Sequence, residues 1–314
     1  MKYITILIPT YNEAEVLPKL FARLHTLAES NKRVSFEFLF INDGSDDDTL
    51  AIIKQAAGRN HRISYINLSR NFGKETAMMA GFDHAKGDAV IVIDADLQDP
   101  PELIPDMIRF WEDGFDDVYA RRRSREGETW FKEKSSALYY RLLQSSTRVP
   151  IQVDTGDFRL LSRRAVDALK QYRESERNTK ALFSLIGYKK KEITYDRDPR
   201  AAGETKWSYP KLIDLAISGI TSFTTAPLRI ASLAGFLVSA FAFFYILYLV
   251  IRPFFGVSTG SGYSSLMAAI LFLGGVQLIA IGIIGEYIGR IFIETKGRPL
   301  YLIEEYHEAK TRKS

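Results

Sequence analysis

At 314 residues the chain is long enough for one or two domains with a sizeable core. Its lack of cysteine excludes disulfides, thiolate metal sites and a cysteine nucleophile, and fits a reducing compartment. A net charge of only +4 implies no nucleic-acid partner. The mean hydropathy of -0.10 averages over a division. Up to about Tyr209 charged and apolar segments alternate, and from Ala226 onward two long apolar runs follow.

The opening segment, MKYITILIPTYNE, is too short in its apolar part for a signal peptide and reads as a buried strand over residues 4–8 ending at Pro9. A helical pattern follows over about 14–30, then an apolar run at 36–41. The next helix is expected to open near Ser45, with acids in its first turn. Apolar runs at 63–68 and 89–93 repeat the theme, with a helix over 73–85 between them. Wholly apolar strands separated by helices predict an α/β domain whose mainly parallel sheet is covered on both faces. Ligands gather at the carboxyl ends of such strands. The polar groups there are residues 10–13, 42–45, 69–74 and 94–99.

These strand ends deliver the carboxylates Glu13, Asp43, Asp94 and Asp96. In VIVIDADLQDP, Asp94 and Asp96 alternate along a segment expected to be extended, so both can face one polyanion across a cation. Oxygen ligands without His or Cys point to Mg²⁺ or Mn²⁺. Farther on, Arg121, Arg122, Arg123, Arg125, Lys132 and Lys134 form a basic cluster suited to a lipid phosphate. One or two of Arg121, Arg122 and Lys132, with Ser135, are the candidate ligands for that phosphate; the same cluster could rest on anionic headgroups instead or as well. Residues 195–207, with Gly203 beside Arg200, Glu204 and Lys206, have the composition of a mobile lid.

Residues 208–225 carry apolar side chains at helical spacing, as an interfacial amphipathic helix would. Residues 230–251 and 264–284 are free of charge, and each suffices to cross about 30 Å of hydrocarbon. Lys206, Lys211 and Arg229 on one flank, with Arg290, Lys296, Arg298, Lys310, Arg312 and Lys313 on the other, place both ends in the cytoplasm. The expected organisation is a cytoplasmic catalytic domain (1–207), interfacial helices (208–228), a two-helix transmembrane hairpin (229–292) and a cytoplasmic tail (293–314). Glu286 is expected to pair with Arg290 one turn on. Ser232, Gly235 and Ser239 offer a small-residue face for self-association.

I-P-T-Y-N-E (8–13), N-D-G-S (42–45), R-N-F-G-K-E (70–75) and D-A-D-L-Q-D-P (94–100) together resemble glycosyltransferase family 2, of GT-A (Rossmann-like) fold. D-T-G-D-F-R-L (154–160) and G-E-T-K-W (203–207) resemble its polyisoprenyl-phosphate branch, which holds dolichol-phosphate mannose synthases and bactoprenol glucosyltransferases. That resemblance implies that Pro9, Tyr11, Glu13 and Asp43 hold the base and ribose of a nucleotide sugar. It assigns the donor diphosphate to Asp94, Ala95 and Asp96 and the metal to Asp94, Asp96 and Gln98. Asp157 would lie at the reacting centre beside Asp94 and Asp96, with Arg200 and Lys206 closing over the phosphates. It also implies UDP-glucose as donor, a polyisoprenyl phosphate as acceptor, inversion at the sugar, a homotetramer, and a place in the cytoplasmic (inner) membrane. Against a processive polysaccharide synthase stands the lack of a Q-x-x-R-W motif. A neutral-lipid acceptor and a non-catalytic membrane adaptor remain as alternatives.

Overall fold

The computed structural model describes residues 1–122, 155–175, 177, 179–195, 226–251 and 262–309. The chain divides into two compact units, the first formed by Met1–Gln144, Val149–Ser208 and Pro299–Ser314, the second mainly by Tyr209–Arg298.

The first unit is built on strands β1 (Lys2–Thr10), β2 (Val34–Asn42), β3 (Ile63–Leu68), β4 (Ala89–Val92), β5 (Asp117–Arg122), β6 (Thr155–Ser162), β7 (Lys190–Tyr195) and β8 (Ile303–His307). They form one eight-stranded sheet in the order β7-β5-β6-β4-β1-β2-β3-β8. The pairs β1–β2, β1–β4, β2–β3 and β5–β7 are parallel. The pairs β4–β6, β5–β6 and β3–β8 are antiparallel.

Strand alternation divides the apolar side chains between two cores. Ile4, Ile6 and Ile8 with Phe36, Phe38 and Phe40 point to one face, where α1 (Leu17–Ser30), α2 (Thr49–Arg59) and α4 (Ile104–Glu112) cover them. Leu7, Leu39, Ile41 and Ile66 point to the other, beneath α3 (Lys74–His84), α5 (Arg163–Leu169) and α6 (Thr179–Leu185). Helix α1 buries Leu17, Leu20, Leu24 and Leu27, a stripe at steps of three and four. Each such side chain contributes about 1.5–3 kcal/mol when fully buried, and β1 to β4 are accordingly buried on both faces over most of their length.

Two helices start later than their patterns predict, for one reason. Glu13 N donates to Thr49 Oγ1 at 2.8 Å and Ala14 N to Asp47 Oδ2 at 3.2 Å, so α1 begins only at Leu17. Asn12 N donates to Ser45 Oγ and Asp46 N to Asn12 Oδ1, which holds 45–48 as a loop. N–H groups at the start of a helix have no intrahelical acceptor, and here side chains of the neighbouring segment supply one and fix the turn that leads into each helix.

The region expected to be a cytoplasmic tail contributes β8, which lies against β3 and is tied by Tyr65 to Glu305 (2.6 Å) and by Asn67 to Glu304 (2.8 Å).

The second unit consists of α7 (Ala226–Ile251) and α8 (Tyr263–Thr295). Their 26 and 33 residues extend about 39 and 50 Å, more than a hydrocarbon core of about 30 Å needs. The apolar segments are Pro227–Tyr245 and Ser265–Thr295, unburied along their length. They expose Phe236, Phe241, Leu278 and Ile279 among other large apolar side chains, a surface suited to lipid. Arg290 donates to Glu286 Oε1 from Nε (3.1 Å) and Nη2 (2.8 Å), as the one-turn spacing predicts. The interfacial segment 208–225, the connector 252–261 and residues 310–314 lie outside the described residues.

Candidate active site

The carboxyl ends of β1, β2 and β4 surround a cavity of about 290 Å³ lined by Pro9, Thr10, Tyr11, Glu13, Asp43, Asn71, Gly73, Lys74, Ala77, Asp94, Ala95 and Asp96. Seven sequence candidates (Pro9, Tyr11, Glu13, Asp43, Asp94, Ala95 and Asp96) therefore share one cleft. Tyr11 is 43% exposed, leaving its ring open to a planar ligand.

Asp94 and Asp96 do not follow an extended strand. Residues 95–97 turn, and Leu97 has φ +61°, a left-handed conformation costly for a side chain of that size. Leu97 is nevertheless 9% exposed and packed in the core. Its burial holds the turn, and Gln98 N donates back to Asp96 Oδ1 at 3.1 Å. Both carboxylates meet the cleft through this turn, and strand alternation is not the cause.

Asp43 is 3% exposed and accepts from Phe72 N (2.7 Å) and Gly73 N (2.9 Å). Burial pushes its carboxyl up, opposed by those two N–H groups and by Arg70. The residue thus orders the β3–α3 turn as well as lining the cleft. Gly44 is required beside it. With φ +63°, an added Cβ would sit 2.4 Å from Arg70 C and 2.5 Å from Asn71 N.

Asp157, on β6, reaches the same region. Its Oδ2 lies 2.6 Å from Lys74 Nζ, and Lys74 Nζ lies 2.5 Å from Asp94 Oδ1. Burial alone would raise the Asp157 carboxyl, but the Lys74 ammonium together with Lys180 and Arg159 outweighs it and holds Asp157 below the usual carboxylate range. Burial would lower Lys74, yet Asp94 and Asp157 together hold it above its ordinary value. Asp99, 3% exposed, is pushed up to about 6 by burial and then by Asp94, although the Tyr195 hydroxyl donates to it at 2.7 Å.

Among the described residues, no group of three or more His, Asp or Glu side chains converges as a ready-made metal cage. That suits Mg²⁺ or Mn²⁺, which are commonly held by one or two carboxylates together with substrate phosphates. The donor set is oxygen throughout, and Asp157 Oδ1 is buried without a hydrogen-bond partner among the described residues.

Of the basic candidates, Arg121 does not line the cleft; it is paired with Glu192 at 3.5 Å on the sheet's far side strands. Arg122 ends β5. Lys132, Ser135, Arg200 and Lys206 lie outside the described residues. Sequence reasoning placed Lys74 and Asp99 at polar strand ends and Glu75 in a family motif, but gave none of the three a role. The signal for Lys74 was its place in the first turn of a helix, where the macrodipole disfavours a cation.

The glycosyl transferase family 2 pattern matches residues 5–170, and the GtrB C-terminal hairpin matches 226–291. An uncharacterized glycosyltransferase of Synechocystis sp. is 47% identical over 96% of this chain and 95% of its own. The prophage bactoprenol glucosyl transferase homolog of Escherichia coli is 42% identical over 96% of this chain and 98% of its own. Among solved structures, a mannosyltransferase of Pyrobaculum calidifontis aligns at 14% identity over 88% of this chain and 86% of its own, with a TM-score of 0.47. The chain belongs to glycosyl transferase family 2: it is a membrane-associated glycosyltransferase in which a GT-A catalytic domain is joined to a GtrB-type helical hairpin.

Proposed function

We propose that the protein transfers glucose from UDP-glucose to a polyisoprenyl phosphate at the cytoplasmic face of the membrane, with a divalent metal and with inversion at the sugar. The observation that carries this reading is the cleft itself, where Asp94, Asp96, Asp157 and Lys74 meet at strand ends beside Pro9, Tyr11, Glu13 and Asp43. Near-full-length similarity to relatives named bactoprenol glucosyl transferase supports the acceptor and the sugar.

In this reading an oxygen of the lipid phosphate attacks the anomeric carbon. The bond from that carbon to the donor diphosphate breaks, and its electron pair leaves on the nucleotide. A phosphate monoester is mostly dianionic at neutral pH, so the nucleophile needs no strong base. Asp157, held ionised by Lys74, is a weak base suited to orienting the acceptor or the metal. A neutral lipid hydroxyl would demand a stronger base than this. Asp94 and Asp96, with Gln98, would hold Mg²⁺ or Mn²⁺, which when bound neutralises charge developing on the diphosphate. The residues otherwise align the reactants and exclude water. The basic residues in the first turn of α7 (Arg229) and in and after the last turns of α8 (Arg290, Lys296 and Arg298) favour an inner-membrane hairpin with both termini cytoplasmic. Self-association to a tetramer through Ser232, Gly235 and Ser239 belongs to the same reading.

The test is purified protein in detergent with Mg²⁺ or Mn²⁺, undecaprenyl phosphate and a panel of radiolabelled nucleotide sugars. Label from UDP-glucose should enter the organic phase and fall by about 10²-fold or more in Asp94→Ala and Asp157→Ala. Hydrolysis without lipid labelling would discard the acceptor, and labelling from another donor would discard glucose.

A further inference from the structure

The Lys74 ammonium occupies a place where a cation is needed before any ligand arrives. It bridges Asp94 (2.5 Å) and Asp157 (2.6 Å), two carboxylates from different strands that would otherwise repel across the floor of the cleft. Its side chain stays 42% exposed toward the cavity it lines, whereas that of Asp157 is 9% exposed. The residue is held from both sides along the chain. Asp43 fixes the backbone just before it through Phe72 N and Gly73 N. Glu75, just after it, accepts from the backbone N–H and hydroxyl of Thr179. A lysine in the first turn of a helix works against the helix dipole. Four carboxylates thus place a cation where the local fold disfavours one: Asp94 and Asp157 touch it, and Asp43 and Glu75 hold the chain on either side.

We propose that Lys74 is a phosphate-binding residue of the donor site and makes metal binding and diphosphate binding depend on each other. The inference rests on the reading of the cleft as a nucleotide-diphosphate site. A divalent ion approaching Asp94 and Asp96 alone meets the Lys74 ammonium on the same carboxylate, and like charges oppose its entry. An ion that arrives with a diphosphate brings the anion both cations need. Lys74 then exchanges Asp94 for a phosphate oxygen, as a charge-assisted donor, and keeps its contact with Asp157 through another of its three N–H groups.

The experiment compares the full-length parent, Lys74→Met and Lys74→Arg in detergent, each first checked for a cooperative melt. Unbound Mn²⁺ followed by its EPR signal reads the affinity for Mn²⁺ alone. Calorimetry at saturating Mn²⁺ reads the affinity for UDP and, separately, for inorganic pyrophosphate. Lys74→Met should bind Mn²⁺ alone about 5-fold tighter than the parent, and UDP and pyrophosphate about 10-fold more weakly. Lys74→Arg, which keeps the charge, should stay close to the parent in all three. Opposite shifts in one variant cannot come from a damaged fold. Mn²⁺ affinity that is unchanged, or that weakens together with pyrophosphate affinity, would overturn the role given to Lys74 and leave the donor reading intact. If pyrophosphate binds and shows the Lys74 shift while UDP does not bind, the uridine donor is wrong and the role of Lys74 stands.

Discussion

Arg159 follows Asp157 by two residues on β6 and is fully buried, as is its partner Asp117 on β5. Arg159 Nη1 lies 3.1 and 3.3 Å from the two Asp117 oxygens, and the guanidinium sits 3.7 Å from the centre of the Phe183 ring. Burial pushes the arginine down and the aspartate up, so each partner is penalised for its charge despite the other. Asp117→Asn would leave a guanidinium in the core without its counter-charge, a loss of about 3–5 kcal/mol. For a domain of this size that is a fall of about 10 °C in apparent Tm. Replacing the pair together, Asp117→Leu with Arg159→Met, removes both desolvation costs and should recover most of the loss. The assay is thermal unfolding by intrinsic fluorescence in detergent, with lipid-labelling activity measured well below each Tm. A single substitution that lowers Tm by less than about 2 °C would refute the reasoning. So would a double variant as unstable as the single one.

Gly44→Ala forces a Cβ into the backbone of Arg70 and Asn71 at a left-handed residue, so the β3–α3 turn that carries Lys74 must shift. UDP affinity at saturating Mn²⁺ should fall about tenfold or more by calorimetry, and an unchanged value would show that the turn tolerates the intrusion. Asp99 gives a pH dependence of definite sign. Its folded pKa of about 6 lies above the ordinary aspartate value of 3.8, so the folded state binds the extra proton between those values. Its contribution to stability therefore falls as pH rises from about 4 to 6, by about 3 kcal/mol in all. In EDTA, Asp99→Asn should lose that part of the slope in melting curves taken across the window; parallel curves for parent and variant would rule it out.

The strand–helix alternation up to Ile93 was legible because burial on both faces leaves a local mark, an apolar run bounded by polar strand ends. The α7–α8 hairpin was legible for a similar reason, since lipid-facing helices exclude charge over lengths that few core helices reach. The seven cleft-lining candidates could be named because motif and strand end coincide. Other expectations rested on a local rule that tertiary contacts override. Asp94 and Asp96 face the cleft through a turn held by buried Leu97, and α1 and α2 begin late because Asn12, Ser45, Asp47 and Thr49 take their first backbone donors.

Taken alone, the amino-acid order determined the family, the α/β class, the two apolar helices and the acidic strand ends, because periodicity, span length and motif spacing are properties of neighbours along the chain. Only the tertiary structure decided that β8 returns beside β3 and that β6 runs antiparallel between β4 and β5. It alone brings Lys74 to Asp157 across 83 positions of sequence and Arg159 to Asp117 across 42. Edge pairing and buried ion pairs depend on which surfaces meet once the sheet has closed on its two cores, and no local pattern encodes that meeting.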